Sequence, residues 1–295
     1  MRSAPLPAPL SAADVAAFAD QGYLVVRGLL SEADLEPVRQ ELAAWLDRRA
    51  RELHADAPFA TRFGLLMAQN PAIHHGIDIA DTRGPALWRF LRTPRLLDAL
   101  QELIGPEISL NPIAHVRAKP PQSQTADGVK GYFSVPWHQD SGVIVPEADA
   151  SEILTVWLPL LDATVEMGCL QVIPGGHRQG HLPHVAAPEY GTSIKPSAMP
   201  RTRPVPLPVT SGDVVIMHRH CPHHSTPNRS TVCRWSLDLR YQRTGDHSGR
   251  PWQPVFPLRV GGRDVDVGHA AWDKAWAECL ATPGGGRTQH RLEAE

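Results

Sequence analysis

This sequence predicts a mainly β protein with flanking α-helices, and three observations carry that reading. From about residue 107 the chain breaks into short apolar runs separated by Pro, Gly and Asn, the texture of an all-β sandwich or barrel. Ahead of it, residues 11–106 carry capped amphipathic helical patterns. A chain of 295 residues with 42% hydrophobic content can bury one substantial core. One domain over 11–281 is therefore expected, with a helical scaffold at 11–106 packed outside a β core at 107–260. Residues 1–10 are expected to be disordered and 282–295, with three consecutive glycines, a flexible tail.

In chain order, Ser11 precedes a helical run with Val15 and Phe18 on one face, and Gly22 stands where that helix stops. A strand over Tyr23–Leu30 follows. Ser31 with Asp34 three residues on forms a capping-box pattern, and Leu35, Val38, Leu42, Trp45 and Leu46 recur at helical spacing behind it. A second helical region starts at Pro85 and restarts at Thr93-Pro94, with Leu96, Leu97, Leu100, Leu103 and Ile104 as its stripe and Gly105 as its end. The strongest strand patterns are 153–160, 169–173, 214–217 and 234–241. Long loops are expected over 56–82, 120–131 and 182–208, and segments of this length commonly line binding sites.

The formal charge of −2 gives no reason to expect nucleic acid or an acidic membrane surface as partner, which favours a small-molecule substrate. The four cysteines, Cys169, Cys221, Cys233 and Cys279, are scattered without a Cys-x-x-Cys pair and read as reduced thiols of a cytoplasmic protein. The N-terminal Ala/Pro alternation lacks the apolar core of a signal peptide. Nowhere do about 18 apolar residues run together, so no membrane span is expected.

The chemistry-bearing pattern is Trp137-His138-Gln139-Asp140 followed, far downstream, by His223-His224-Ser225 and Arg234. On an extended strand, His138 and Asp140 point to one face, and a distant histidine can complete a facial set of two imidazoles and one carboxylate. Such a set leaves three positions of an octahedral metal open. A bare His-x-Asp is weak by itself, because His54-Ala55-Asp56 matches too and the chain holds 15 histidines. Context separates the two: His138 lies in the β-rich part, and Gly212-Asp213 turns into the apolar strand 214–217 that leads to His223. Arg234 opens another strand eleven residues later; projecting inward it would need an anion, and a dicarboxylate would satisfy its planar fork, while an internal salt bridge or a surface position is the equal alternative for this residue taken alone.

These segments resemble the phytanoyl-CoA dioxygenase family of iron(II) and 2-oxoglutarate-dependent oxygenases. The resemblance spans about residues 11–258 and includes Asp20-Gln21-Gly22-Tyr23, Lys119-Pro120-Pro121, His138-Gln139-Asp140, Met167-Gly168-Cys169-Leu170 through Gly175-Gly176-His177, and Thr244-Gly245-Asp246 through Arg250-Pro251. It implies a double-stranded β-helix, a cupin-like jelly-roll barrel. It also implies Fe(2+), 2-oxoglutarate and O2 as the reaction's requirements, with His138, Asp140 and His223 as iron ligands. Arg234 and Ser225 would hold the distal carboxylate of 2-oxoglutarate, with Trp157 beside it and His115 at a further cosubstrate position. His223 is taken over His224 because it keeps the family's distances to Ser225, Asn228 and Arg234. His218 and His220 remain open between supporting groups, substrate contacts and solvated residues. Gln139 would face away from the metal.

Related halogenases carry a small residue where this chain has Asp140, so the resemblance favours hydroxylation or another oxidation without halide. Oxidative decarboxylation of 2-oxoglutarate to succinate and carbon dioxide would accompany it. Substrate contacts are expected from the three loops, with Phe133, Trp137 and Val143 as candidates near the metal, and the substrate is expected to be a free small molecule, as in natural-product biosynthesis. Two other readings share the same residues: a barrel that binds metal and ligand without catalysis, and a zinc-dependent hydrolase or isomerase.

Overall fold

The computed structural model describes residues 9–51, 53–74, 77–125, 127, 133–188 and 190–293. The helical region holds α1 (Ala12–Gln21), α2 (Glu32–Ala50), α3 (Phe59–Gln69), α4 (Pro85–Leu91) and α5 (Pro94–Ile104), interrupted by β1 (Tyr23–Val26). The strands that follow are β2 (Ile108–Leu110), β3 (His115–Lys119), β4 (Ile153–Pro159), β5 (Leu170–Val172), β6 (His184–Ala187), β7 (Gly191–Ile194), β8 (Val205–Leu207), β9 (Val214–His218), β10 (His223–Ser225), β11 (Arg234–Arg243), β12 (Phe256–Val260) and β13 (Arg263–Asp264). A last helix, α6 (His269–Ala281), was not anticipated from the sequence.

The caps behave as their residue types require. The Ser11 hydroxyl accepts from the Asp14 backbone while the Asp14 carboxylate accepts from Ser11, and Gly22 closes α1 in the left-handed region at φ +76°. The Asp34 carboxylate accepts from the backbone and hydroxyl of Ser31 at the start of α2.

A large antiparallel sheet runs in the order β1-β9-β4-β11-β2-β12-β13, with β3 also paired to β11; a smaller sheet runs β10-β5-β8. The ten-residue β11 is the spine. Period-2 alternation sends Trp235, Leu237, Leu239 and Tyr241 to the helix side, where they join α2–α6 in the main apolar core with Leu154, Val156 and Leu158 of β4. The opposite face carries Arg234, Ser236, Asp238 and Arg240, all but Asp238 fully buried, and looks toward the smaller sheet. Between the sheets, Trp157, Val215 and Met217 pack on Leu170, Val172 and Leu207. The result is a cupin-like arrangement, apolar against the helices, with an apolar cluster between the sheets beside a polar region around Arg234, Ser236, Asp238 and Arg240.

Several expected loops are ordered elements. The span 56–82 holds α3 and a 3-10 turn at Pro71–His74, because Phe63, Leu66 and Met67 bury at helical spacing. The span 182–208 holds the β6–β7 hairpin and β8. Within 120–131, Gln122–Gln124 form a 3-10 turn, while residues 126 and 128–131 lie outside the described residues, as do residues 1–8 of the expected N-terminal arm. The strand expected over 23–30 ends at Val26. The tail expected to be flexible is bonded back onto the fold: the Arg291 amide donates to the Gly142 carbonyl and the Glu293 amide to the His184 carbonyl. No helix among the described residues is long and apolar enough to cross a membrane.

Candidate active site

His138 meets His223 in an isolated antiparallel bridge, each amide donating to the other's carbonyl at 3.0 and 2.9 Å. Directly opposed residues share a face, so the two imidazoles stand 4.2 Å apart, centroid to centroid. Gln139 is extended (φ −119°, ψ 146°), which returns Asp140 to the same side. The expected strand stops there: Asp140 opens a 3-10 turn through Val143. Gln139 does face away, and its amide ties the segment down by donating to the Gly180 and His220 carbonyls and accepting from the Leu182 amide.

One ligand atom each from His138, Asp140 and His223 lies within 4.8 Å of the others, and all three residues are buried. The arrangement fits a divalent metal on its own chemistry. Nδ1 of His138 donates to the Pro136 carbonyl (2.9 Å) and Nδ1 of His223 to the Cys221 carbonyl (3.0 Å), leaving each Nε2 as a bare donor atom. Burial and the neighbouring His223 hold the His138 pKa well below its ordinary value, so the ring is neutral. Burial pushes the Asp140 carboxyl up, but Arg240 foremost, with the hydroxyl of Thr155, outweighs it and keeps the group ionised. Arg240 Nη2 lies 2.5 Å from Asp140 Oδ1, and the Thr155 hydroxyl donates to Oδ2.

Beside this centre two buried cations share one place. Register pairs Arg234 of β11 with Lys119 of β3. Lys119 Nζ donates to Ser225 Oγ and the Thr226 carbonyl, both at 2.7 Å. The Arg234 guanidinium lies 5.2 Å over the Trp157 ring and donates through Nη1 to the Gly168 carbonyl. Among the described residues no carboxylate forms an ion pair with either cation. Burial, then the neighbouring Arg234, pushes the Lys119 pKa well down, and burial lowers that of Arg234 to about 10. Two unpaired buried cations are costly, and an anion would relieve them. The cavity they line is completed by Phe63, His74, Phe133 and Val135.

A second cavity, of about 250 Å³, opens on the metal side and is lined by His138, Asp140, Asp78, His115, Arg117, Val143, Tyr190, Arg250 and His290 among others. Arg117 and Tyr190 line both cavities. Tyr190 stands edge-on to His138 at 5.4 Å, and burial pushes its hydroxyl up to about 12.

The structure thus brings together His138, Asp140 and His223, and places Arg234, Ser225 and Trp157 side by side. It does not place His115 with them: that imidazole pairs with Asp78 at 2.9 Å in the second cavity. Phe133 and Val143 line the two cavities. Trp137 does not, because alternation turns it away from the metal, where it stacks on His224 at 3.9 Å. His224 bonds to Gln171 on that outer face. His218 and His220 also lie off the centre, with the His220 amide donating to His218 Nδ1 beside His177. Sequence reasoning missed Thr155, Tyr190 and Arg240, and gave Lys119 no role. Polar Asp238 and Arg240 at even spacing from Arg234 in an apolar strand were the available signal.

A facial set of two histidines and a carboxylate in a cupin-like sheet pair, beside a cationic pocket, defines a non-haem metal oxygenase of the 2-oxoglutarate type. The chain belongs to the phytanoyl-CoA dioxygenase (PhyH) family, whose model matches residues 18–236. It is 27% identical over 259 residues to 1-deoxypentalenic acid 11-beta-hydroxylase of Streptomyces arenae, covering 84% of this chain and 86% of that protein. It is also 27% identical over 256 residues to phytanoyl-CoA dioxygenase domain-containing protein 1 of Danio rerio, covering 75% and 86%. Among solved structures it resembles the non-heme alpha ketoglutarate dependent carbocyclase SnoK from nogalamycin biosynthesis (TM-score 0.57, 20% identity, 99% and 98% covered). EvdO2 from Micromonospora carbonacea var. aurantiaca is similar too (TM-score 0.58, 22% identity, 85% and 94% covered). The two structural likenesses establish the fold.

Proposed function

We propose that this protein hydroxylates an unactivated C–H bond of a small organic molecule, with iron(II) held by His138, Asp140 and His223 and 2-oxoglutarate held by Arg234, Lys119 and Ser225. The observation that carries the reading is the juxtaposition of a buried His, His, carboxylate set with two buried cations that have no carboxylate partner among the described residues. When bound, iron and 2-oxoglutarate supply the oxidising chemistry, consuming O2 and releasing succinate and carbon dioxide. The chain's own residues orient and insulate. Arg234 presents its fork to the distal carboxylate, Trp157 and Phe133 wall the cosubstrate from water, and Arg240 and Thr155 fix the Asp140 carboxylate. Asp140 supports hydroxylation over halogenation, because the carboxylate occupies the side of the centre where a halide would have to enter. The hydroxylase of a carboxylic acid named above supports a natural-product substrate.

Anaerobic titration of the purified protein with iron(II) and 2-oxoglutarate is expected to raise a weak visible charge-transfer band, and admission of O2 to release succinate. Asp140→Ala should lose both. Near-normal succinate release by that variant after metal depletion and iron restoration would overturn the assignment.

A further inference from the structure

The second cavity holds a cation that the cofactor chemistry leaves unused. Among its other charged groups, Asp78 pairs with His115, and Arg240 bridges Asp140 and Asp238. Arg250 is buried at 5% exposure, yet among the described residues its side chain makes only a long bond from Nε to the Val143 carbonyl (3.4 Å). Nη1 and Nη2 have no hydrogen-bond partner among the described residues, and Arg250 lines the cavity. The backbone is built to aim it. Gly249 adopts φ +81° against Ile144, where a side chain would collide, its carbonyl accepts from the Val145 amide, and the Arg250 amide donates to Ser248 Oγ. The C-terminal segment adds His290, whose buried Nδ1 also lacks a partner.

We propose that Arg250, assisted by His290, is the anchor for a carboxylate on the substrate, so that this enzyme acts on a carboxylic acid held by the end remote from the oxidised carbon. A guanidinium fork with both terminal nitrogens open matches a carboxylate bidentately. A single negative charge suits the site better than a phosphate dianion, because Asp78, Asp238 and Asp140 line the same space. Orientation follows: with the acid group fixed at Arg250, the hydrocarbon body lies along Val143 and Tyr190 toward His138 and Asp140.

This inference rests on the oxygenase reading, and the test separates the two. Wild-type protein loaded anaerobically with iron(II) and 2-oxoglutarate is titrated with matched acid and primary amide pairs, 1-deoxypentalenic acid with its amide and cyclohexanecarboxylic acid with its amide. Perturbation of the visible band reports binding. Absence of any band before titration would sink the oxygenase reading and this one with it. Given the band, acids are expected to bind roughly 10- to 100-fold more tightly than amides, the worth of a charge-assisted pair. Arg250→Gln should erase that preference and Arg250→Lys restore part of it. His290→Gln, on the C-terminal segment, should reduce it severalfold even if Arg250→Gln fails to fold. Equal binding of acid and amide, no binding of either acid, or an undiminished preference in Arg250→Gln or His290→Gln would overturn the anchor.

Discussion

Thr155 has its whole side-chain role in one bond, the hydroxyl donated to Asp140 Oδ2, and it is fully buried. Thr155→Val keeps the volume and removes the donor, so the carboxylate loses an orienting partner while the fold is kept. Iron(II) affinity is expected to fall about tenfold, read by competition with a chromophoric chelator. Arg234→Lys keeps the charge but loses the fork and the stacking on Trp157. KM for 2-oxoglutarate is expected to rise roughly tenfold or more, with kcat changed less, as for an interaction made in ground and transition states alike. At this scale the four motif residues His138, Asp140, His223 and Arg234 were legible because each sits in a recognisable local pattern. Their partners were not. Arg240 was signalled only by its even spacing from Arg234 on β11, while Thr155 and Lys119 reach the site through the pairing of β4 and β3 with β11, and register between strands distant in sequence leaves no local mark.

The turn before β5 shows how an element end serves the site. Gly168 adopts φ +72°, its carbonyl accepts from Arg234, and a Cβ there would run into the Thr226 carbonyl oxygen. Gly168→Ala is therefore strained twice, by dihedral and by contact. A destabilisation of about 1–3 kcal/mol is expected in chemical denaturation, accompanied by a raised KM for 2-oxoglutarate as the Arg234 acceptor shifts. Helices α1, α2, α4 and α5 and strands β4, β9 and β11 were readable because caps and periodicity agree over long runs. Helix α3 was hidden by its own Gly64 and by Pro58 and Pro71 at its ends. That glycine exists for packing, since the Gln124 side chain fills the space a Cβ would take. The β6–β7 hairpin was hidden because its strands are four residues each and carry little alternating hydrophobicity.

Across the whole molecule, the main apolar core sits between sheet and helices, and the space inside the sheet pair divides into a small apolar cluster and a polar region around the metal centre. The C-terminal segment closes that polar interior in a way composition could not reveal. Glycine-rich, polar residues 282–293 read as disorder because they bury little apolar surface, and disorder is the usual outcome. Here the segment is held instead by backbone bonds to Gly142 and His184, by Trp252 Nε1 donating to the Arg287 carbonyl and Gln253 Nε2 to the Gly285 carbonyl, by the Arg287 guanidinium 4.0 Å over the Trp252 ring, and by ion pairs of Arg291 with Asp149 and Glu293 with Lys195. The half-exposed Lys195–Glu293 pair contributes only about 0–1 kcal/mol, and both pairs keep an exposed carboxylate and weaken with salt, so the strap should be among the least stable parts of the fold. Raising NaCl from about 0.05 to 1 M, where the Debye length drops to roughly 3 Å, is expected to speed amide exchange over 288–293 and at 140–145, while β4 and β11 stay protected. Substrate KM should rise in parallel, since Thr288 and His290 line the cavity. If exchange in 288–293 is already complete at low salt, or is unmoved at high salt, the strap is not held by these contacts.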